Sequence, residues 1–233
     1  MKIYNYLCVL ALIIVFTSCD LDNFSGPDGG VHGKFIDAHT GELVQQDIIR
    51  GTRIELTEHG YDPVAKQYLV VKNDGTYANT QLFQNTYTIE PVDGNFIPIE
   101  AEEVDIGANT EMNFEVIPYI RIKNVTIKRD GNIVIASFKI EQNVISNVRK
   151  IGMYVFPEPI VGEPVHTLSH EVDLNRVVSD DETFTLELDI VSNGSLFNSP
   201  KNIEELYFRV GALIDIGNAK FNYAPTVTIP FSL

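Results

Sequence analysis

His166 and His170 stand four residues apart in Val165-His166-Thr167-Leu168-Ser169-His170-Glu171-Val172. On a helix that spacing puts both rings on one face, as in zinc sites. The flanking residues read as strand and loop, however, and strand positions four apart lie about 13 Å from each other, too far to share an ion. Surface histidines are therefore expected. Clustered acids raise the question of calcium: Asp180-Asp181-Glu182 in a turn, and Asp20, Asp22 and Asp28 near the amino terminus. Neither group has the spaced Asp-x-Asp-x-Asp-Gly order of a calcium loop, and a solvated acidic surface explains both. The chain has no Gly-x-Ser-x-Gly elbow for acyl transfer and no glycine-rich phosphate loop opening a helix. A glycosidase needs two carboxylates about 5 to 9 Å apart. With 32 Asp and Glu, some pair meets that condition by chance. The expectation is a protein that is not an enzyme and holds no metal or cofactor.

Binding chemistry remains. Sugar sites stack the apolar face of a pyranose on an exposed aromatic ring and hydrogen-bond its rim to acids and amides. There is no Trp, the best such platform, but there are 10 Tyr and 13 Phe. Most sit at strand positions where core packing accounts for them. Tyr61, Tyr68 and Phe96 fall in loop-like segments and are the candidate ligand contacts, with loop packing as the alternative for each.

These residues must be carried by strands. Beyond residue 30 the dominant period is two, with no long helical pattern. Thr183 to Ile190 alternates without a break. Phe208, Val210, Ala212 and Ile214 share one face of another strand, as do Val227, Ile229 and Phe231. Asn73-Asp74-Gly75, Asp93-Gly94, Asp130-Gly131 and Asn193-Gly194 mark turns between runs. Ser199 to Leu206 is the one stretch that reads as a helical turn, with Ser199 as its cap and Pro200 at its first position. An all-β chain of two sandwiches is expected, with the boundary at Pro118-Tyr119. Hydrophobic residues at 44% exclude disorder for most of the chain, and a formal charge of -15 argues against nucleic-acid binding.

The amino terminus suggests an address. Lys2 precedes an unbroken apolar run from Leu7 to Phe16, followed by Thr17-Ser18-Cys19. About 20 apolar residues are needed to span a bilayer, so the run reads as a secretion signal over residues 1–18. Small residues before a cysteine fit a bacterial lipobox, which makes Cys19 the lipidated residue and its covalent lipid the only attached group. An ordinary signal peptide cut elsewhere is the alternative. Losing the signal removes Cys8, the other of the two cysteines, so no internal disulfide is possible. Residues 19–30, acidic and rich in turn formers, read as a flexible tether.

Gly33-Lys34-Phe35-Ile36-Asp37-Ala38-His39-Thr40-Gly41 resembles the opening of a carboxypeptidase-regulatory-like domain, a module with a transthyretin-like sandwich fold. There Asp37 and Thr40 can cap backbone amides while Gly41 takes a positive φ. Asn73-Asp74-Gly75-Thr76-Tyr77 and Leu82 to Ile89 resemble that family's aromatic turn and tyrosine hairpin, with Asn85 in place of a left-handed glycine. The resemblance covers residues 31–117 of a first domain read at 31–118, and residues 119–233 look like an immunoglobulin-like or fibronectin-like sandwich without its Trp and cysteine pair. The module is a non-catalytic appendage, so the likeness implies no peptidase activity.

Together with the lipobox, the chain resembles a Bacteroidetes outer-membrane lipoprotein family of uncharacterised function, found beside TonB-dependent importers of the starch-utilisation type. Acids just after the acylated cysteine, here Asp20 and Asp22, resemble a signal for display on the outer face. The resemblance implies an accessory subunit that docks on a TonB-dependent barrel and its lid lipoprotein during oligosaccharide or oligopeptide import. A free-standing surface glycan-binding lipoprotein is the alternative, and a hydrolase with a cleft between the domains is a third reading.

Overall fold

The computed structural model describes residues 25–193 and 203–231. These hold sixteen strands and no helix, arranged as tandem β-sandwiches, as expected. The first contains β1 (Gly29–Asp37), β2 (Arg53–Glu58), β3 (Lys66–Val70), β4 (Thr76–Leu82), β5 (Asn85–Val92), β6 (Glu102–Ile106), β7 (Thr110–Glu111) and β8 (Phe114–Val116). One sheet runs β4-β1-β7, with β8 also on β1, and the other runs β3-β2-β5-β6. Strand β1 is antiparallel to β4 but parallel to β7 and β8. Apolar positions alternate inward from both sheets and meet around an aromatic stack. Phe35 lies 4.9 Å from Phe114 and 5.2 Å from Phe96, ring centre to ring centre.

The second sandwich contains β9 (Ile120–Asp130), β10 (Ile133–Gln142), β11 (Val148–Phe156), β12 (Leu168–Arg176), β13 (Thr183–Asp189), β14 (Glu205–Ile214), β15 (Asn222–Tyr223) and β16 (Val227–Pro230). Its sheets run β13-β10-β9 and β12-β11-β14-β15, with β16 also on β14. The alternation read from the sequence is seen in β13, where Phe184, Leu186 and Leu188 are buried and Thr183, Thr185 and Glu187 are exposed. It is also seen in β14, whose Phe208, Val210, Ala212 and Ile214 enter the core.

The Asp37 turn forms as read. His39 N donates to Asp37 Oδ1 at 2.9 Å, Glu42 N donates to Thr40 Oγ1 at 3.2 Å, and Gly41 has a φ of 72°.

Three local expectations are corrected. The tether ends early, because Gly29 and Gly30 are already in β1, where Gly29 pairs with Leu82. Asn85 is extended rather than left-handed. It opens β5, and its Nδ2 donates to Glu58 Oε1 and to the His59 carbonyl at 3.1 and 2.9 Å, tying β5 to the end of β2. The helical turn proposed for Ser199 to Leu206 lies partly outside the described residues. Its second half is not helical: Ile203 and Glu204 are irregular, and Glu205 opens β14 and pairs with Pro230. The signal and Cys19 also lie outside the described residues.

Candidate ligand clefts at the domain interface

The two sandwiches meet through buried polar chemistry. Arg209, in the middle of β14, is fully buried with an exposure of 0%. Its Nε donates to the Ala224 carbonyl at 3.0 Å. One terminal nitrogen donates to the Gln46 carbonyl at 2.8 Å and to the Val161 carbonyl at 3.3 Å. The other donates to the Asn73 carbonyl at 2.8 Å and to Gln45 Oε1 at 3.2 Å. The guanidinium also sits 4.3 Å from the Tyr223 ring centre, a cation–π contact. Among the described residues no carboxylate is ion-paired with it. Burial pulls its pKa down to about 10, so it remains charged at neutral pH.

Around Arg209 runs a network of amides. Gln46 Nε2 donates to Asn95 Oδ1 at 2.9 Å, and Asn95 Nδ2 donates to the Gln45 and Phe221 carbonyls at 2.8 and 3.0 Å. Asn222 Nδ2 donates to the Asn95 carbonyl at 2.8 Å. The Tyr223 hydroxyl donates to Asp47 Oδ2 at 3.1 Å and accepts from Glu163 N at 2.9 Å. Among the described residues no buried side-chain nitrogen or oxygen lacks a partner. Satisfied networks of this kind fix one relative placement, because sliding the domains would strand several groups at once.

Two clefts open at this interface. The larger, about 900 Å³, lies between the Asp37 turn and strand β9, with Tyr223 to Pro225 also in its wall. Its walls present His39, Thr40, Glu42, Gln45, Lys123, Asn124 and Glu141. Arg121 spans it: Nε and one terminal nitrogen hold Asp37, the latter at 2.8 Å, and the other holds Glu141 at 2.6 Å and Asn143 at 2.7 Å. Lys123 Nζ adds a 2.5 Å contact to Glu141. Burial pushes the Asp37 carboxyl up, but the Arg121 hydrogen bonds and the His39 and Thr40 amides outweigh it and leave it below its ordinary 3.8. Lys123 and then Arg121 hold Glu141 below its ordinary 4.5. Both are thus ionised at neutral pH. The stability they add is complete above about pH 5 and is lost as pH falls through their lowered folded values. Acid should therefore loosen the docking of the domains before either core unfolds. Small-angle scattering from pH 7 down to 3 is expected to show extension while the far-ultraviolet β signal persists, and Asp37→Asn should show that extension at neutral pH.

The smaller cleft, about 440 Å³, is bounded by Asp47, Arg50, Arg53, Asp93, Glu163, Lys220, Phe221 and Tyr223. Arg50 bridges the domains to Glu163 at 2.9 Å.

Two of the three aromatic candidates are at the surface, and one is not. Tyr61 is 59% exposed and Tyr68 47%. Tyr68 lies on edge strand β3 rather than in a loop. Its hydroxyl donates to Glu55 Oε2 at 2.9 Å, and Arg53 lies 4.9 Å from its ring centre. Phe96 is 2% exposed and stacked on Phe35. It is a core residue and cannot meet a ligand, because its loop folds inward between Asn95 and Pro118.

His166 and His170 are kept apart by different partners, the Glu163 and Glu187 carbonyls at 2.8 and 3.0 Å. Glu182 of the acidic turn is ion-paired with Arg176. No group of three or more metal-ligating side chains occurs among the described residues. The sequence reading missed Arg209, Arg121, Asn95 and Asn222. For Arg209 the local sequence carries no signal: between Phe208 and Val210 it alternates with core residues as a solvent-facing cation would, and only the first domain covers its face.

Residues 30–117 match the protein of unknown function (DUF3823) N-terminal domain, and residues 120–228 match the domain of unknown function DUF3823_C. A solved structure of a candidate carbohydrate-binding protein from Bacteroides uniformis is 31% identical. It superposes with a TM-score of 0.80, covering 88% of this chain and 100% of that one. The chain belongs to the DUF3823 family. Two further DUF3823 structures share the fold. The one from Parabacteroides merdae has 22% identity, a TM-score of 0.74 and coverage of 88% of this chain and 100% of that one. The one from Bacteroides ovatus has 24% identity, a TM-score of 0.70 and coverage of 86% and 98%. No curated protein matches the chain. The Bacteroidetes family likeness read from the sequence is thus met at the level of the two-domain DUF3823 family.

Proposed function

We propose that this protein is a non-enzymatic glycan-binding lipoprotein, held on the outer face of the outer membrane through lipid on Cys19, with the larger interdomain cleft as its sugar site. The observation that carries the reading is the cleft itself. Its volume of about 900 Å³ suits a short oligosaccharide, and its lining is rich in the planar acids, amides and cations that bind sugar hydroxyls. The likeness to the Bacteroides uniformis protein supports the same class of ligand.

Binding is favoured over hydrolysis by the state of the carboxylates. A glycosidase needs one carboxyl with a raised pKa to protonate the leaving group. Asp37 and Glu141 are both shifted the other way and are committed to Arg121.

Titration calorimetry against soluble oligosaccharides tests the reading. Heat with the wild type, weakened about tenfold by Lys123→Ala or His39→Ala, is the expected result. Both side chains are exposed, so these variants should fold normally. No heat from any sugar, or heat unchanged by both variants, would remove the cleft from consideration.

A second reading is that the protein docks as an accessory subunit on a TonB-dependent barrel and its lid. It is favoured by the open edge of β3, where Tyr68 and Val70 are 47% and 56% exposed, and by Val64 just before the strand, 41% exposed. Gentle solubilisation and native pull-down would recover such partners in fixed ratio.

A further inference from the structure

The smaller cleft differs from the larger in having a second ring, Phe221 beside the shared Tyr223, and an uncommitted cation. Phe221 is partly buried, and its ring is held in place on two sides. It stacks on Tyr223, centres 5.6 Å apart and planes within 22°, and meets Tyr154 edge-on at 6.1 Å. Its carbonyl is fixed by Asn95 Nδ2. Three cations line the same cleft in a chain whose formal charge is -15. Arg50 is paired with Glu163 at 2.9 Å and Arg53 with Asp93 at 2.7 Å. The remaining acid, Asp47, already accepts from Ile49 N, Arg50 N and the Tyr223 hydroxyl. Lys220 is left: its main-chain N is bonded to the Gly94 carbonyl at 3.3 Å, and its ammonium has no ion pair among the described residues.

We propose that this cleft binds a carboxylated sugar ring, stacked on Phe221 with its carboxylate on Lys220. An apolar ring face beside a charged carboxylate is what a uronic acid offers. A rigid aromatic wall next to a spare ammonium satisfies both parts without breaking an existing ion pair. The ligand class rests on the glycan-binding reading, but the site is separate from the larger cleft.

The test is calorimetry with trigalacturonic acid, using neutral galactotriose as its counterpart. The acidic trimer should bind and the neutral one should bind at least about tenfold more weakly. Added salt should weaken the acidic trimer's binding. Lys220→Ala should weaken the trimer about tenfold and Lys220→Glu should abolish binding. Lys128→Ala, which removes the same charge from an exposed position of β9 that lines neither cleft, should leave it unchanged. Near-ultraviolet circular dichroism identifies any variant that has lost its fold, and Phe221→Leu then tests the wall independently, with an expected loss of about tenfold. Equal binding of the two trimers, or wild-type affinity in Lys220→Ala, would overturn the proposal. If neutral oligosaccharides bind in the larger cleft and trigalacturonic acid gives no heat, this inference alone fails. If no sugar binds anywhere, it falls together with the glycan reading.

Discussion

Replacing Arg209 with Ala is expected to cost about 4 kcal/mol of folding stability, read as a fall in the urea midpoint. The variant removes every donor of a fully buried guanidinium. The Gln46, Asn73, Val161 and Ala224 carbonyls then lose a partner in a site closed to solvent. It also removes the ring contact that holds Tyr223, the residue shared by both clefts. Arg209→Lys keeps the charge but not the planar fork, so it cannot reach carbonyls on opposite sides and should recover only part of the loss. The pattern should be graded, Ala worse than Lys and Lys worse than wild type. Scattering should show the domains parting in the Ala variant. A cost below about 1 kcal/mol for Ala would mean that these carbonyls find other donors.

Gly33→Ala should be comparably severe, for a different reason. A Cβ at Gly33 would lie 1.7 Å from the Met112 carbonyl oxygen and 2.7 Å from its carbon. That oxygen is backbone and is itself held, since it accepts from the Tyr77 hydroxyl at 2.6 Å while Met112 N donates to the His32 carbonyl at 2.9 Å. No rotamer change can relieve the clash. The segment joining β7 to β8 must move off β1, and Phe114 leaves the aromatic stack with it. About 3 kcal/mol or more is expected, concentrated in the first domain. Gly41→Ala is the control. Nothing lies within 4 Å of a Cβ there and only the φ of 72° opposes it, so a loss of about 1 kcal/mol should follow. Equal effects at the two sites would show that Gly33 is conformational and not a point of close approach.

The contrast between these glycines separates what can be read locally from what cannot. The role of Gly41 follows from its immediate neighbours, because Asp37 and Thr40 bond to amides two residues away. Gly33 belongs to the same motif, but what it makes room for is 79 positions on, at Met112. The aromatic candidates divide in the same way. Tyr61, beside a turn, lies in a loop as read and is exposed, whereas Phe96 looks like a loop residue until Phe35 and Phe114 close over it. Asn85 suits a left-handed turn by type, yet the end of β2 offers its amide better partners in an extended conformation.

By itself the sequence determined the all-β class, the strands whose alternation runs unbroken, and the Asp37 turn. Each is a local property, since a period of two and a side-chain cap depend on residues within a few positions. The tertiary structure decided the site. Strand β14 buries both faces, one in its own core and one against the first domain, and alternation shows only the first. Arg209 meets Gln46 across 163 positions, and Arg121 meets Asp37 across 84. Both clefts exist because of those meetings. A polar side chain that will be buried against another domain has the same local surroundings as one that will face water, so its role is fixed only when the second surface arrives to satisfy it.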